Sequence, residues 1–224
     1  MAKSGAPSTV ERGGARSAPT RRRLVEAAVE TLKEDGFVGA SARAIAERAG
    51  SNQGLIFYHF GSVTNLLLAA LDEVSAQRMH DYGEAVGRVG SLGELVEVAT
   101  DIFRTDLDAG HMTVLAEMIA GASSVPGLGA EVAERIHSWR EFARSAMEEC
   151  IGGTPLGSVV PAGDVAHALV ALYLGLEMLS HLDGDRQPAL RLFGLAGQLA
   201  GLLEITGASS TAATTDPTTA KEQR

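Results

Sequence analysis

Gln53, Leu55 and Phe57 stand at the head of a short apolar stretch, with Ser41 and Arg43 about ten residues earlier. An amide, two apolar groups and a guanidinium make no catalytic set. No nucleophile elbow, phosphate loop, dinucleotide fingerprint or cysteine–histidine cluster occurs in the chain, and no enzyme is expected. The same groups do suit the edges of base pairs. A glutamine bonds adenine at two positions, apolar carbons pack on thymine methyls, and an arginine reaches guanine or a phosphate. Ser41, Tyr58 and His59 can bond phosphate oxygens, which fix register rather than sequence. Gly54 would let the backbone approach a groove wall closely.

Two short helices must position these groups. The stretch from Ser41 to Phe60 reads as a helix capped by Ser41, a tight turn at Ala49-Gly50-Ser51, and a second helix capped by Asn52. Gly50 supplies a corner where a side chain would clash or resist a positive φ. Ile45, Ala46 and Ile56 can lock the two helices together, leaving Gln53 to Tyr58 towards the exposed start of the second. Such a unit places a helix in the major groove. On this pattern alone a compact helical hairpin, with its aromatics in the core, remains the alternative; Phe60 is assigned to the core.

The residues carry a resemblance. Thr20 to Leu67 resembles the N-terminal domain of TetR-family transcriptional regulators, about a fifth of the chain. The basic start of the first helix, S-x-R-x-I-A-x-x-A-G at Ser41–Gly50, G-x-I-F-Y-H-F-x-S at Gly54–Ser62 and N-L-L at 65–67 carry it. The resemblance implies base contacts at Arg43, Gln53, Gly54, Leu55 and Phe57, and phosphate contacts at Ser41, Tyr58 and His59. His59 has packing between the third and fourth helices as its other role. Three positions depart from the family pattern: Val63 where a lysine is frequent, Ser51 where an apolar residue is usual, and Phe57 where tyrosine is usual. A basic arm ending in Arg21-Arg22-Arg23 can compensate for the missing phosphate contact.

The net charge of −9 argues against nucleic acid until it is divided along the chain. Residues 1–61 carry nine Lys/Arg and six Asp/Glu, +3; the remainder carries ten and twenty-two, −12. A basic end on an acidic body is drawn to phosphates by one part only. With 224 residues, 45% of them hydrophobic, the chain can build a sizeable core. No run of eighteen apolar residues and no signal-peptide core appears, and Cys150 is a lone cysteine. The expectation is a cytoplasmic protein with no membrane partner.

The fold class is all-α, about nine helices: an N-terminal three-helix helix–turn–helix domain and a C-terminal helical ligand-binding and dimerisation domain. The expected divisions are a disordered basic arm (1–18), the DNA-binding domain (19–65), a regulatory and dimerisation domain (66–205) and a disordered tail (206–224). The first helix is expected from Thr20 to Asp35, ended by Gly36. A long fourth helix opens at Ser62, and Ser91 with Glu94 forms a capping box for the fifth. A sixth spans His111–Ala122, a seventh about 128–150, and a loop of Gly152, Gly153 and Pro155 precedes the eighth (162–182) and ninth (187–205).

The last two helices are apolar nearly all round, which suggests burial against another subunit, with burial of both inside the monomer as the alternative. In the resembled family they pair as a four-helix dimer interface, here expected to use Leu169, Leu172, Leu176, Glu177, Leu179, His181, Leu192, Leu195 and Leu199. Glu177 and His181, one turn apart with His167 nearby, lack a second ligand pair, so no metal and no cofactor is expected. The resemblance further implies an effector pocket between helices four and eight. Its candidates are Phe103, His111, Met112, Leu115, Met118, Trp139, Phe142 and Tyr173, which suit a large hydrophobic small molecule. The partners expected are therefore double-stranded DNA with a near-palindromic operator, such an effector, and a second copy. A repressor released by the effector is the leading expectation. An activator or effector-free regulator of the same fold, and an all-α carrier or enzyme with a vestigial DNA-binding end, are the alternatives.

Overall fold

The computed structural model describes residues 9–152 and 159–212. Among them the chain forms nine helices and no strand. These are α1 (Thr9–Gly39), α2 (Ala42–Arg48), α3 (Gln53–Phe60), α4 (Val63–Val86), α5 (Leu92–Ala109), α6 (His111–Ala122), α7 (Leu128–Ile151), α8 (Ala162–Asp183) and α9 (Gln187–Ala212).

The two ends correct the sequence reading. α1 begins at Thr9, not at Thr20, and runs through Pro19, so residues 9–18 of the expected disordered arm are helical. α9 likewise continues past 205 to Ala212, into the expected tail. A helix already nucleated on a packed segment gains a hydrogen bond for each residue added, so an apolar face is not required for it to continue. The first eight residues of the arm, the loop at Gly153 and Pro155, and the tail from 213 lie outside the described residues.

The chain divides into two compact units, 1–79 with 110–135, and 80–109 with 136–224. The expected boundary after residue 65 is therefore displaced, because α6 packs on α1 and joins the first unit. Leu24, Ala28 and Leu32 of α1, Ile45 of α2, Ile56 of α3 and Leu66 of α4 are buried there. The break at Gly36 is confirmed as a residue with φ 70°, after which the chain turns through Gly39. Beyond it, Phe37 N donates to Glu117 Oε2 of α6 at 2.8 Å. A Cβ on Gly121, one turn along from Glu117, would fall 2.5 Å from the Phe37 ring, so that close approach needs glycine.

In the second unit α5 packs on α8 and α9. Ser91 Oγ accepts from Glu94 N at 3.2 Å, while Glu94 Oε2 accepts from Gly90 N at 2.8 Å, a capping box shifted by one residue. Phe103 is enclosed by Tyr173 and Phe193, with ring centroids 5.7 and 5.1 Å away. Asp106, fully buried, accepts from Tyr82 Oη at 2.7 Å and Tyr173 Oη at 2.5 Å.

α8 and α9 turn small and polar residues inward: Ala166, Glu177 and Ser180 on α8, Ala189 and Ala200 on α9 are buried. Their leucines turn outward, with Leu172 54% exposed and Leu199 61% exposed. Glu177, expected on the apolar outer face, is instead 1% exposed, and Leu176 is half-buried. By length and composition alone α8 could cross a bilayer.

Candidate nucleic-acid interface

Ser41 and Asn52 start the two short helices as their side-chain chemistry dictates. Ser41 Oγ accepts from Ala44 N, and Asn52 Oδ1 from Leu55 N, both at 3.2 Å. Each cap satisfies a backbone donor that the first turn leaves open. Between them Gly50 has φ 59°, and a Cβ there would meet nothing within 4 Å. Conformation alone, not space, requires glycine at this corner. Gly54 has an additional reason: a Cβ would stand 3.1 Å from Asn52 Oδ1 and press on the cap. Ser51 closes the turn through its N–H to Ala46 O at 2.8 Å, but its hydroxyl oxygen is buried with no hydrogen-bond partner.

With Ile56 fully buried on α3, as Ile45 is on α2, the opposite side of α3 is open. Gln53, Gly54, Phe57 and Tyr58 are exposed, Phe57 at 53% and Tyr58 at 78%. Large apolar rings left in water on a capped eight-residue helix mark a contact surface rather than a core. Ser41 and Arg43 are exposed on the preceding element, while Leu55 and His59 are half-buried. His59 stacks edge-on between Tyr58 and Phe60, at 4.9 and 6.4 Å, in keeping with a packing role. Asn65 Nδ2 donates to Phe60 O at 2.9 Å and Ser62 Oγ accepts from Asn65 N at 3.0 Å, which fixes the end of α3 to the start of α4.

The cations around α3 sort into two groups. Arg22 pairs with Glu26, Lys33 with Glu30, and Arg48 with both Glu34 (2.6 Å) and Asp35 (3.1 Å). The hydrogen bond that Arg48 donates to Glu34 holds its exposed guanidinium above its ordinary range, with Asp35 adding to it. Arg21, Arg23 and Arg43 are exposed and have no carboxylate partner among the described residues of this unit. Arg21 lies over the Phe60 ring, its Cζ 5.0 Å from the centroid. Sequence reasoning placed the three arginines 21–23 in one arm; the structure separates Arg22, spent on Glu26, from its two neighbours. The i, i+4 spacing of Arg22 and Glu26 was the available signal.

Residues 24–70 match the family described as bacterial regulatory proteins, tetR family. An uncharacterized HTH-type transcriptional regulator of Mycobacterium tuberculosis is 31% identical over 104 residues, 46% of this chain and 53% of that protein. The chain thus spans about half the length of the curated relatives it matches first. The HTH-type transcriptional regulator UidR of Escherichia coli is 24% identical over 83% of this chain and 93% of its own. Among solved structures, a TetR-family transcriptional regulator from Cytophaga hutchinsonii superposes with a TM-score of 0.70 at 18% identity, over 83% of this chain and 95% of that one. The capped helix–turn–helix with its exposed α3 face lies within the segment, 24–70, that matches the tetR family of bacterial regulatory proteins, and the helical fold of the described residues is shared with solved structures of TetR-family regulators.

Proposed function

We propose that this chain is a sequence-specific DNA-binding transcriptional regulator, a repressor that acts as a homodimer. The observation that carries the reading is the exposed face of α3, where Gln53, Phe57 and Tyr58 stand in water on a helix capped by Asn52. Gln53 and Arg43 supply directional contacts to bases, Leu55 and Phe57 apolar ones, and Gly54 the close approach. Ser41, Tyr58 and His59 supply phosphate contacts, joined by Arg21 and Arg23.

The outward leucines of α8 and α9 support dimerisation. Leu169, Leu172, Leu179, Leu192, Leu195 and Leu199 are each more than 40% exposed, on the two helices whose inner sides carry alanine and serine. An apolar surface of this kind marks a protein interface. A two-fold dimer would set its two α3 helices roughly 34–36 Å apart and read a near-palindrome.

Effector release is the second part of the reading. Of the pocket candidates, Met112, Leu115 and Met118 are buried in the first unit, where His111 is half-buried. Phe103, Trp139, Phe142 and Tyr173 belong to the second unit. A hydrophobic small molecule bound by the candidates of the second unit would shift the population of DNA-competent dimers through its differential affinity for two states. Footprinting of the purified dimer on the DNA upstream of its own gene tests the reading. Protection of a near-palindromic site supports it, and absence of any protected site at low salt overturns it.

A further inference from the structure

α7 carries three arginines, and two of them are tied to carboxylates. Arg135 is held by Asp72 at 2.7 Å and Glu131 at 3.1 Å, and Arg144 by Glu141 at 2.9 Å and Glu148 at 2.6 Å. Both guanidiniums are pushed above their ordinary range, chiefly by the hydrogen bonds they donate to Asp72 and Glu141. Arg140, between them, has no carboxylate partner among the described residues, in a chain of net charge −9. Its Nη2 meets His137 Nδ1 at 3.2 Å and its Nη1 meets His167 Nδ1 at 3.4 Å. Its Nε is buried with no hydrogen-bond partner.

A guanidinium has only donors, so both imidazoles must accept through Nδ1 and carry their proton on Nε2. Neutral ring nitrogens at these lengths are weak acceptors for a full positive charge. The neighbouring acids do not relieve it: Glu141 is turned to Arg144, and Asp164, a turn before His167 on α8, forms no ion pair with Arg140. His137 and His167 are exposed and Arg140 is half-buried, so the group opens to solvent. An oxyanion offers what the arrangement lacks, a planar pair of charged acceptors for the guanidinium fork. Once an anion takes over the guanidinium, either imidazole can give up its Nδ1 contact, flip its ring and donate Nε2–H to the same anion.

We propose that Arg140, His137 and His167 form a binding site for an oxyanion group, a carboxylate or a phosphate. The site lies wholly within the second unit, and it goes beyond the DNA-binding reading without depending on it.

The test uses the full chain, with thermal midpoint and the fluorescence of Trp139, the single tryptophan and the neighbour of Arg140. Sodium phosphate and sodium octanoate are titrated at constant ionic strength against sodium chloride. A saturable rise in midpoint and a saturable fluorescence change with phosphate, octanoate or both support the site, and the more effective of the two assigns its class. Arg140→Gln should abolish the response, Arg140→Lys should weaken it at least several-fold, and His137→Gln with His167→Gln should weaken it with the fold intact. Responses no larger than those to chloride overturn the proposal. So does saturation that persists unchanged in the double histidine variant, which decides the matter should Arg140→Gln fail to fold.

Discussion

The Arg21 guanidinium rests on the ring of Phe60, with Cζ 5.0 Å from the ring centroid, and so joins the first helix to the last residue of α3. An exposed cation–π contact of this kind contributes roughly 0.5–1 kcal/mol. Its larger effect is placement, since it fixes at the end of α3 a charge that has no carboxylate partner among the described residues. Arg21→Ala should lower affinity for every DNA sequence alike and reduce the salt slope by about one unit. Val63→Lys in the same background should restore that slope. Binding measured from low to moderate salt checks both, and a loss confined to one sequence would count against a phosphate role.

Gln53→Ala should behave in the opposite manner. Loss of a two-point contact to adenine costs about 1–3 kcal/mol at the operator and relaxes preference at one base pair per half-site. Affinity for unrelated DNA should remain as it was. Competition binding with a library of half-site variants separates the two effects.

Gly50→Ala tests the corner. The site has open space but φ 59°, so the penalty is conformational, about 1–2 kcal/mol. Gly50→Asn should recover a good part of it, because asparagine tolerates this region. Urea unfolding of the two variants gives the comparison.

Ser51→Ala should stabilise the protein. The Ser51 hydroxyl oxygen is buried without a partner, and removing it relieves a desolvation cost of about 1 kcal/mol or more. A higher unfolding midpoint with unchanged operator binding is the expected result.

Leu172→Glu with Leu195→Glu places charges on the outward faces of α8 and α9, where both leucines are 54% exposed. Sedimentation should show a monomer of retained helicity. Operator affinity should fall by two orders of magnitude or more, since two half-sites would no longer be bound together.

The parts of this architecture that were legible are those written locally. Ser41 and Asn52 announced the caps because an oxygen-bearing side chain preceded each apolar run, and Gly36 and Gly50 announced breaks that only positive φ allows. Ion pairs closed over 13 and 14 residues, such as Arg48 with Asp35 and Glu34, left no periodic trace. α8 defeated the reading for a different reason. A helix apolar all round has no phase, so nothing in its composition could say that Glu177 points inward and Leu172 outward. The helical extensions at 9–18 and 206–212 are not legible in composition, because propagation continues a helix where apolar residues end.

The bond from Phe37 N to Glu117, with Gly121 beneath the Phe37 ring, spans eighty residues of chain. It sets an order of events during synthesis. When α3 leaves the ribosome, the far end of α1 still has an open backbone donor and an uncovered aromatic ring. Both are satisfied only after α6 has been made, so the helix–turn–helix unit is completed by a segment translated much later. A fragment ended after α4 would carry every residue proposed to contact DNA and still display that unfinished seam.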